Sequence, residues 1–333
     1  MNNNFPKINY IGNKSKIADW IINEIPFDSQ FTVLDLFSGG SSISFELKKR
    51  GFRVIANDAL YASYVIAKAI IENKNVKLGL DELDCSTKQN EFKDVDLSWM
   101  SEKLYFDYEV DELTKLVSYS YQLEGYRKYI FLTLLRRAMI RKLPYSRMNI
   151  TWDNIVKLRD EEYSYNKYGR RRAYHNFPFI EHMVNDLNNY NASIFDNGKD
   201  NIASNLDAFD ALDKYKDEAE IVYIDPPYPG TMNKYQEFYG SFDKMLEKEI
   251  YFTDFTNKND FLNKFEKLIQ SISTNYKAAM ISLNNNVEPN LSQIIEMLSK
   301  YGRLEVKRKK HNYQISGKLN KNSNEEIIAI LMF

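Results

Sequence analysis

The sequence is poor in the residues that staple small folds or build metal centres. Its 333 residues hold one cysteine, Cys85, which excludes a disulfide framework and a cysteine-based zinc site. The three histidines, His175, His182 and His311, do not cluster, so no metal centre is expected. No apolar run approaches the ~18 residues of a membrane helix. The N-terminal MNNNFPKINY carries no signal-peptide pattern. Neither a phosphate-loop G-x-x-x-x-G-K-S/T nor a complete G-x-G-x-x-G is present, and no internal repeat or low-complexity tract is evident. Excess charge of one sign is also missing, since 45 basic and 46 acidic residues leave a net charge of −1. These absences lead us to expect an intracellular globular protein without metal, built as one large domain or two modest ones. The 44% apolar residues are enough to fill such a core.

The neutral total hides an asymmetry. Residues 120–175 carry thirteen Lys and Arg against five Asp and Glu, whereas residues 81–112 carry three against eleven. A basic block inside a neutral chain suits a protein that touches nucleic acid with one region only. The alternative is solvated helix faces, the usual fate of charge runs.

Hydrophobic patterning gives an α/β organisation. The run from Phe31 through Phe37 reads as a strand buried on both faces, and Ser38-Gly39-Gly40-Ser41-Ser42 breaks it. A helix with Ile43, Phe45 and Leu47 follows and stops at Gly51, and residues 52–56 form the next strand. Residues 60–73 read as helix, and from about residue 74 to 190 the pattern is mostly helical. Strands return at residues 221–224, 278–283, 304–307 and 327–333, with an amphipathic helix through Phe261, Phe265, Leu268 and Ile272. The expected architecture is a Rossmann-like sheet over residues 1–75 and 195–333, interrupted by a helical insertion over 76–194.

Three constellations carry chemistry. The glycine turn after Asp35 lies where an open α/β sheet binds ligands, although a tight turn between strand and helix explains it equally well. Asp58, 23 positions beyond Asp35, ends the next strand, where an acidic residue commonly grips a ribose diol. Capping the following helix is its alternative role. The third is Asp225-Pro226-Pro227-Tyr228 at the end of a strand. Two prolines stiffen that turn, which presents a carboxylate, a fixed carbonyl and an aromatic ring. That set suits a planar amine: two acceptors for its two hydrogens localise a lone pair otherwise delocalised into a nucleobase ring, and the ring offers a stacking surface.

In this order, Asn9-Tyr10-Ile11-Gly12-Asn13-Lys14, then DLFSGG, a long insertion and DPPY, the chain resembles the alpha-group, Dam-like adenine-specific DNA methyltransferases. These enzymes use S-adenosylmethionine and are often partners of restriction endonucleases. The strand ending in Asn284 and the stretch from Tyr313 to Lys318 with Glu325-Glu326-Ile327 resemble the closing part of the same fold. The resemblance implies methyl transfer to the 6-amino group of adenine in duplex DNA, after the base has been flipped out of the helix. Tyr10 and Gly12 would close over the cofactor, with Lys14 at the mouth of the base pocket. Asp35 would bind the methionine amino group, while Phe37, Gly39 and Gly40 shape the pocket floor. Asp58 would hold the ribose, and Asp207 the cofactor adenine, with Asn205 and Asp210 as competitors. Asp225 and the Pro226 carbonyl would take the target amine hydrogens, and Tyr228 would stack on the base. Ser41 stands where many members keep a third glycine, and Leu283 where tyrosine is frequent.

Double-stranded DNA is the expected partner, with a cognate endonuclease acting separately in a prokaryotic or phage-infected cytoplasm. The basic insertion would supply phosphate contacts from Arg136, Arg137, Arg141, Lys142 and Arg147, and from Lys167, Arg170, Arg171 and Arg172. His175 beside them would form a hydrogen bond or contact phosphate. Methylation of RNA or of a cytosine amine, and a non-catalytic DNA-binding protein, remain as alternatives; the incomplete glycine motif makes a nicotinamide oxidoreductase weaker still.

Overall fold

The computed structural model describes residues 3–85, 93–230, 234–310 and 325–333. They fall into two compact units. A sheet unit comprises Gly12–Ala59, Asn197–Tyr235 and Tyr251–Phe333; a helical unit comprises Met1–Ile11, Leu60–Asp196 and Gln236–Ile250. The strands are β1 (Thr32–Asp35), β2 (Arg53–Asn57), β3 (Ile202–Ser204), β4 (Ile221–Ile224), β5 (Ala278–Asn284), β6 (Arg303–Lys310) and β7 (Glu325–Met332). In chain order the helices are α1 (Ala18–Asn23), α2 (Ser42–Lys49), α3 (Tyr61–Ala67), α4 (Leu80–Cys85), α5 (Asp107–Ser120), α6 (Gly125–Arg141) and α7 (Trp152–Arg159). They continue with α8 (Glu161–Tyr168), α9 (Phe179–Ala192), α10 (Ala208–Tyr215), α11 (Tyr235–Met245), α12 (Phe261–Asn275) and α13 (Leu291–Leu298).

The sheet has the order β3-β2-β1-β4-β5-β7-β6. Its first five strands are parallel, and β7 runs antiparallel to both β5 and β6. β1, β4 and all of β5 but its last residue are buried throughout, as a sheet covered on both faces demands. On one face Leu34, Ile55, Val222, Ala279 and Ile281 pack with Leu212 of α10, Phe265 and Ile269 of α12, and Ile294 of α13. β1 has β2 on one side and β4 on the other, so chain connections leave it in opposite directions. Ligand crevices of open α/β sheets form at such a switch point, outside the carboxyl ends of the strands. The turns after β1 and β4 are therefore adjacent, with Asp35 in register with Tyr223.

The helical unit is organised on α6, which is buried from Ile130 to Ile140 although that stretch includes Arg136 and Arg137. The second segment of this unit begins at Leu60, so the helix at 60–73 sorts with α6 and not with the sheet. Thr133 of α6 donates to the Val65 carbonyl of α3 at 3.1 Å. The first amides of α3, Tyr61 and Ala62, donate to Asp243 of α11, each at 2.8 Å. Asp243 thus caps this helix, the role that Asp58 could have taken. No helix among the described residues is long and apolar enough to cross a membrane. His311 and the stretch from Tyr313 to Lys318 lie outside the described residues.

Candidate active site

The carboxyl edge of β1 carries the first half of the site. Asp35 is buried, and its Oδ2 accepts from Ser44 Oγ at 2.6 Å. Its Oδ1 has no partner among the described residues. Burial pushes the Asp35 carboxyl up to about 7; the Ser44 hydrogen bond opposes that rise, while the charges of Asp225 and Asp58 add to it. A buried carboxylate oxygen without a donor is costly unless a ligand supplies one. An ammonium group is the donor that fits.

The glycine turn is pinned to β2. Gly39 donates its amide to Asp58 Oδ2 at 2.8 Å, and Ser38 donates its amide to the Asn57 carbonyl at 2.8 Å. Asn57 in turn bridges the Leu36 and Leu206 carbonyls at 3.2 and 3.1 Å. Gly39 has φ +50° and Ser41 φ +60°, the left-handed region in which glycine carries no steric penalty. A serine at 41 thus occupies backbone that suits the glycine usual in the resembled family. Phe37 meets Phe255 edge-on at 5.7 Å, and Phe209 stacks on Phe255 at 6.5 Å. This aromatic group lies beside the turn, and of its members sequence reading had found Phe37 only.

Asp207 caps α10 by accepting from Phe209 N at 2.9 Å and also holds Thr253 N at 2.5 Å. Of its two competitors, Asn205 donates to the Asp58 and Ala59 carbonyls at 2.8 and 2.9 Å, and Asp210 is exposed. Gly12 has φ +82°, and a Cβ there would come within 2.7 Å of Tyr235 Oη. Tyr10 belongs to the helical unit, where it stacks on Tyr239 at 4.8 Å.

The second half is the turn after β4. Asp225 keeps 23% of its side chain exposed, and Lys14 Nζ lies 3.4 Å from its Oδ1. Lys14 also reaches Glu326 of β7 at 3.7 Å, and Glu326 is 1% exposed. Burial raises the Asp225 carboxyl to about 6; Lys14 opposes the rise and Glu326 reinforces it. Sequence reading placed Glu326 only in a closing strand. Its position at the site follows from register, because β7 starts where parallel β5 ends, with Asn284 opposite Glu326. Tyr228 is less open than a presented stacking ring would be. It is 4% exposed, meets Phe261 edge-on at 5.6 Å, and its hydroxyl donates to the Ser282 carbonyl.

The basic insertion requires a correction. Arg136, Arg137 and Lys142 are buried in the helical unit and are not phosphate contacts. Arg137 pairs with Asp186 at 2.5 Å. Lys142 pairs at 2.8 Å with Glu109, which also takes Arg159 bidentately at 2.8 and 2.5 Å. Arg136 lies over the Tyr239 ring at 4.7 Å and the Tyr10 ring at 5.6 Å. Part of the basic stretch is therefore neutralised inside the fold by Glu109 and Asp186, which a count along the chain cannot reveal. His175 is likewise buried and donates Nδ1–H to the Arg141 carbonyl at 2.7 Å, so it is a hydrogen-bonding residue rather than a phosphate contact. Arg141 is partly exposed beside Asp186 at 3.5 Å, and Arg147 is half-buried near Tyr145 and Phe238. Lys167, Arg170 and Arg171 are exposed and Arg172 is half-buried. Arg171 lies over Tyr165 at 5.4 Å and Arg172 over Tyr168 at 5.0 Å. Tyr145, which sequence reading did not single out, is 59% exposed on a left-handed backbone with φ +59°. Among the described residues no three His, Cys, Asp or Glu side chains group as a metal site would require.

The family model described as D12 class N6 adenine-specific DNA methyltransferase matches residues 10–312. The chain is 43% identical to Type II methyltransferase M2.HphI of Haemophilus parahaemolyticus over 337 residues, covering 99% of each chain. It is 27% identical to modification methylase StsI of Streptococcus sanguinis, spanning 97% of this chain and 51% of that protein. Identity to Type II methyltransferase M.FokI of Planomicrobium okeanokoites is 24%, over 83% of this chain and 44% of the relative.

Proposed function

The chain belongs to the D12 class N6 adenine-specific DNA methyltransferases, and on that premise we propose that Asp225 and the Pro226 carbonyl hold the two hydrogens of the target amine. The protein is a site-specific adenine DNA methyltransferase, which sets aside the RNA, cytosine and non-catalytic readings. As with the Type II relatives, we assign it to the modification half of a restriction-modification system in a prokaryotic or phage-infected cytoplasm, with a cognate endonuclease acting separately.

The cofactor of this reading is S-adenosylmethionine, which when bound supplies an electrophilic methyl carbon on its sulfonium. The residues fit it. The unpartnered buried Oδ1 of Asp35 suits the amino group, and this is the observation that carries the reading. Asp58 at the end of β2 suits the ribose hydroxyls, Phe37 and the Asp207 region suit the adenine, and Gly12, Gly39 and Gly40 permit close approach. Asp225 follows β4, the strand paired with β1 that ends at Asp35, so amine and cofactor meet at one sheet edge.

The work of the protein's own groups is to orient and polarise. Asp225 and the Pro226 carbonyl draw the amine hydrogens into fixed hydrogen bonds, so that the nitrogen lone pair points along the line of attack. As the amine becomes positively charged, the carboxylate at hydrogen-bond range stabilises it. Tyr228, fixed by Ser282 and Phe261, forms the aromatic wall of the base pocket, with Lys14 at its mouth. In the helical unit, Lys167, Arg170, Arg171 and Arg172 contact phosphates with Arg141 and Arg147. Asp225→Ala should retain cofactor binding, measured by calorimetry, and abolish methyl transfer to duplex DNA. Near wild-type transfer by that variant would refute the assignment.

A further inference from the structure

We propose that Glu326 is a positioning residue that shares the Lys14 ammonium with Asp225 and thereby keeps the Asp225 carboxylate available to the target amine. The inference rests on the role of Asp225 given above and adds a third member to that site.

The geometry motivates it. Lys14 lies 3.4 Å from Asp225 and 3.7 Å from Glu326, so neither carboxylate has the ammonium at closest contact. A lysine facing Asp225 alone would be drawn into a tight ion pair, occupying an oxygen that must accept from substrate and lowering its basicity. A second carboxylate on the far side draws the cation back. The cluster of Asp225, Lys14 and Glu326 then carries a net single negative charge, which complements an amine that gains positive charge. Sheet topology fixes the arrangement. Glu326 stands on β7, two strands from β4, and side chains directly opposite on antiparallel strands share a face, which sets Glu326 beside Asn284 at the carboxyl edge of β5. On the other side of β7 its register partner is Lys309, an exposed residue whose ammonium lies over the Trp20 ring at 5.5 Å.

Among the described residues, the other titratable groups facing Asp225 are Asp35 on β1, Tyr223 on β4 and Tyr228 after it. Burial holds both tyrosines well above their usual range, so they stay neutral throughout the pH range of the test. Asp35 is governed by burial, Ser44, Asp225 and Asp58, all of which remain in place on substitution at 326, so the test acts on the pair of Lys14 and Glu326.

The test compares Glu326→Gln, Glu326→Asp and Asp225→Asn with the wild-type enzyme on duplex DNA. In Glu326→Gln the lysine closes on Asp225. The turnover number should fall about tenfold or more, with the KM values and calorimetric Kd for S-adenosylhomocysteine held within about twofold. The acid limb of the pH–rate profile should move down by roughly one unit. NMR titration of protein labelled with 13C at the aspartate carboxyl should show the same displacement, the Asp225 signal being identified by its loss in Asp225→Asn. Glu326→Asp, which restores the charge, should recover part of the rate. Glu326 as mere structural ballast predicts a lower Tm with the acid limb and the Asp225 titration unmoved, and that result overturns the proposal. An Asp225→Asn enzyme of near wild-type rate overturns the underlying reading instead.

Discussion

Asp35 offers the sharpest test of the cofactor site, because its ionisation should be legible in binding. Its carboxyl is buried and pushed up to about 7, chiefly by burial, and the unpartnered Oδ1 is available to a cationic amino group. If only the carboxylate form pairs with that group, the apparent Kd scales as one plus the ratio of protonated to ionised Asp35. Lowering the pH from 7 to 6 should then weaken binding about fivefold, or ~1 kcal/mol. In this window the ligand's own amino group stays protonated, since α-amino groups titrate near ~7.7–8.0, so the change belongs to the protein. At pH 7 binding should release about half a proton, read by calorimetry with S-adenosylhomocysteine in buffers of different ionisation enthalpy. Stability moves with the opposite sign. An acid whose folded pKa lies above the ordinary 3.8 destabilises the unligated fold progressively as pH rises from about 4 to about 7. The ligand-induced rise in Tm should therefore grow over that interval. Asp35→Asn should bind more weakly and lose the pH dependence. A flat Kd for the wild-type protein between pH 6 and 7, or an Asp35→Asn protein that binds like wild type, would refute the reasoning.

Three further outcomes follow from the site and its supports. Replacing Arg170 and Arg171 together by Ala should lower the slope of log binding constant against log salt by about two and weaken cognate and non-cognate duplexes alike, as expected of phosphate contacts. Asp186→Ala leaves the buried Arg137 without its carboxylate and should destabilise the fold by about 3–5 kcal/mol in denaturant unfolding. Ser41→Gly relieves a left-handed serine that is fully buried and should stabilise the protein by roughly 0.5–1 kcal/mol, the strain relief being partly offset by the freer unfolded chain.

Some of this molecule was legible along the chain because local pattern suffices for it. The apolar run ending at Asp35, the glycine turn and the stiff DPPY after a second apolar run announce sheet strands and their carboxyl edge without knowledge of any partner. Their order, with a long helical insertion between them, was enough to place the chain in its family. At Ser41 the sequence showed only a departure from a glycine frequent in the family, and the left-handed backbone there is a finding of the structure.

Other features belong to tertiary structure alone. Arg136, Arg137 and Lys142 are charged residues on a helix, and their charge pattern is the same whether they face DNA or, as here, Asp186, Glu109 and two tyrosine rings. Burial is a property of what packs against them, and those partners lie tens to hundreds of residues away. Glu326 opens an apolar strand, and only the antiparallel return of β7 beside β5 brings its carboxylate to the same lysine that Asp225 holds. Sequence determined which turns carry the chemistry, because stiffness and backbone freedom are encoded locally. Sheet order and packing decided which charges act there, because a charge acts through its distance to others in space.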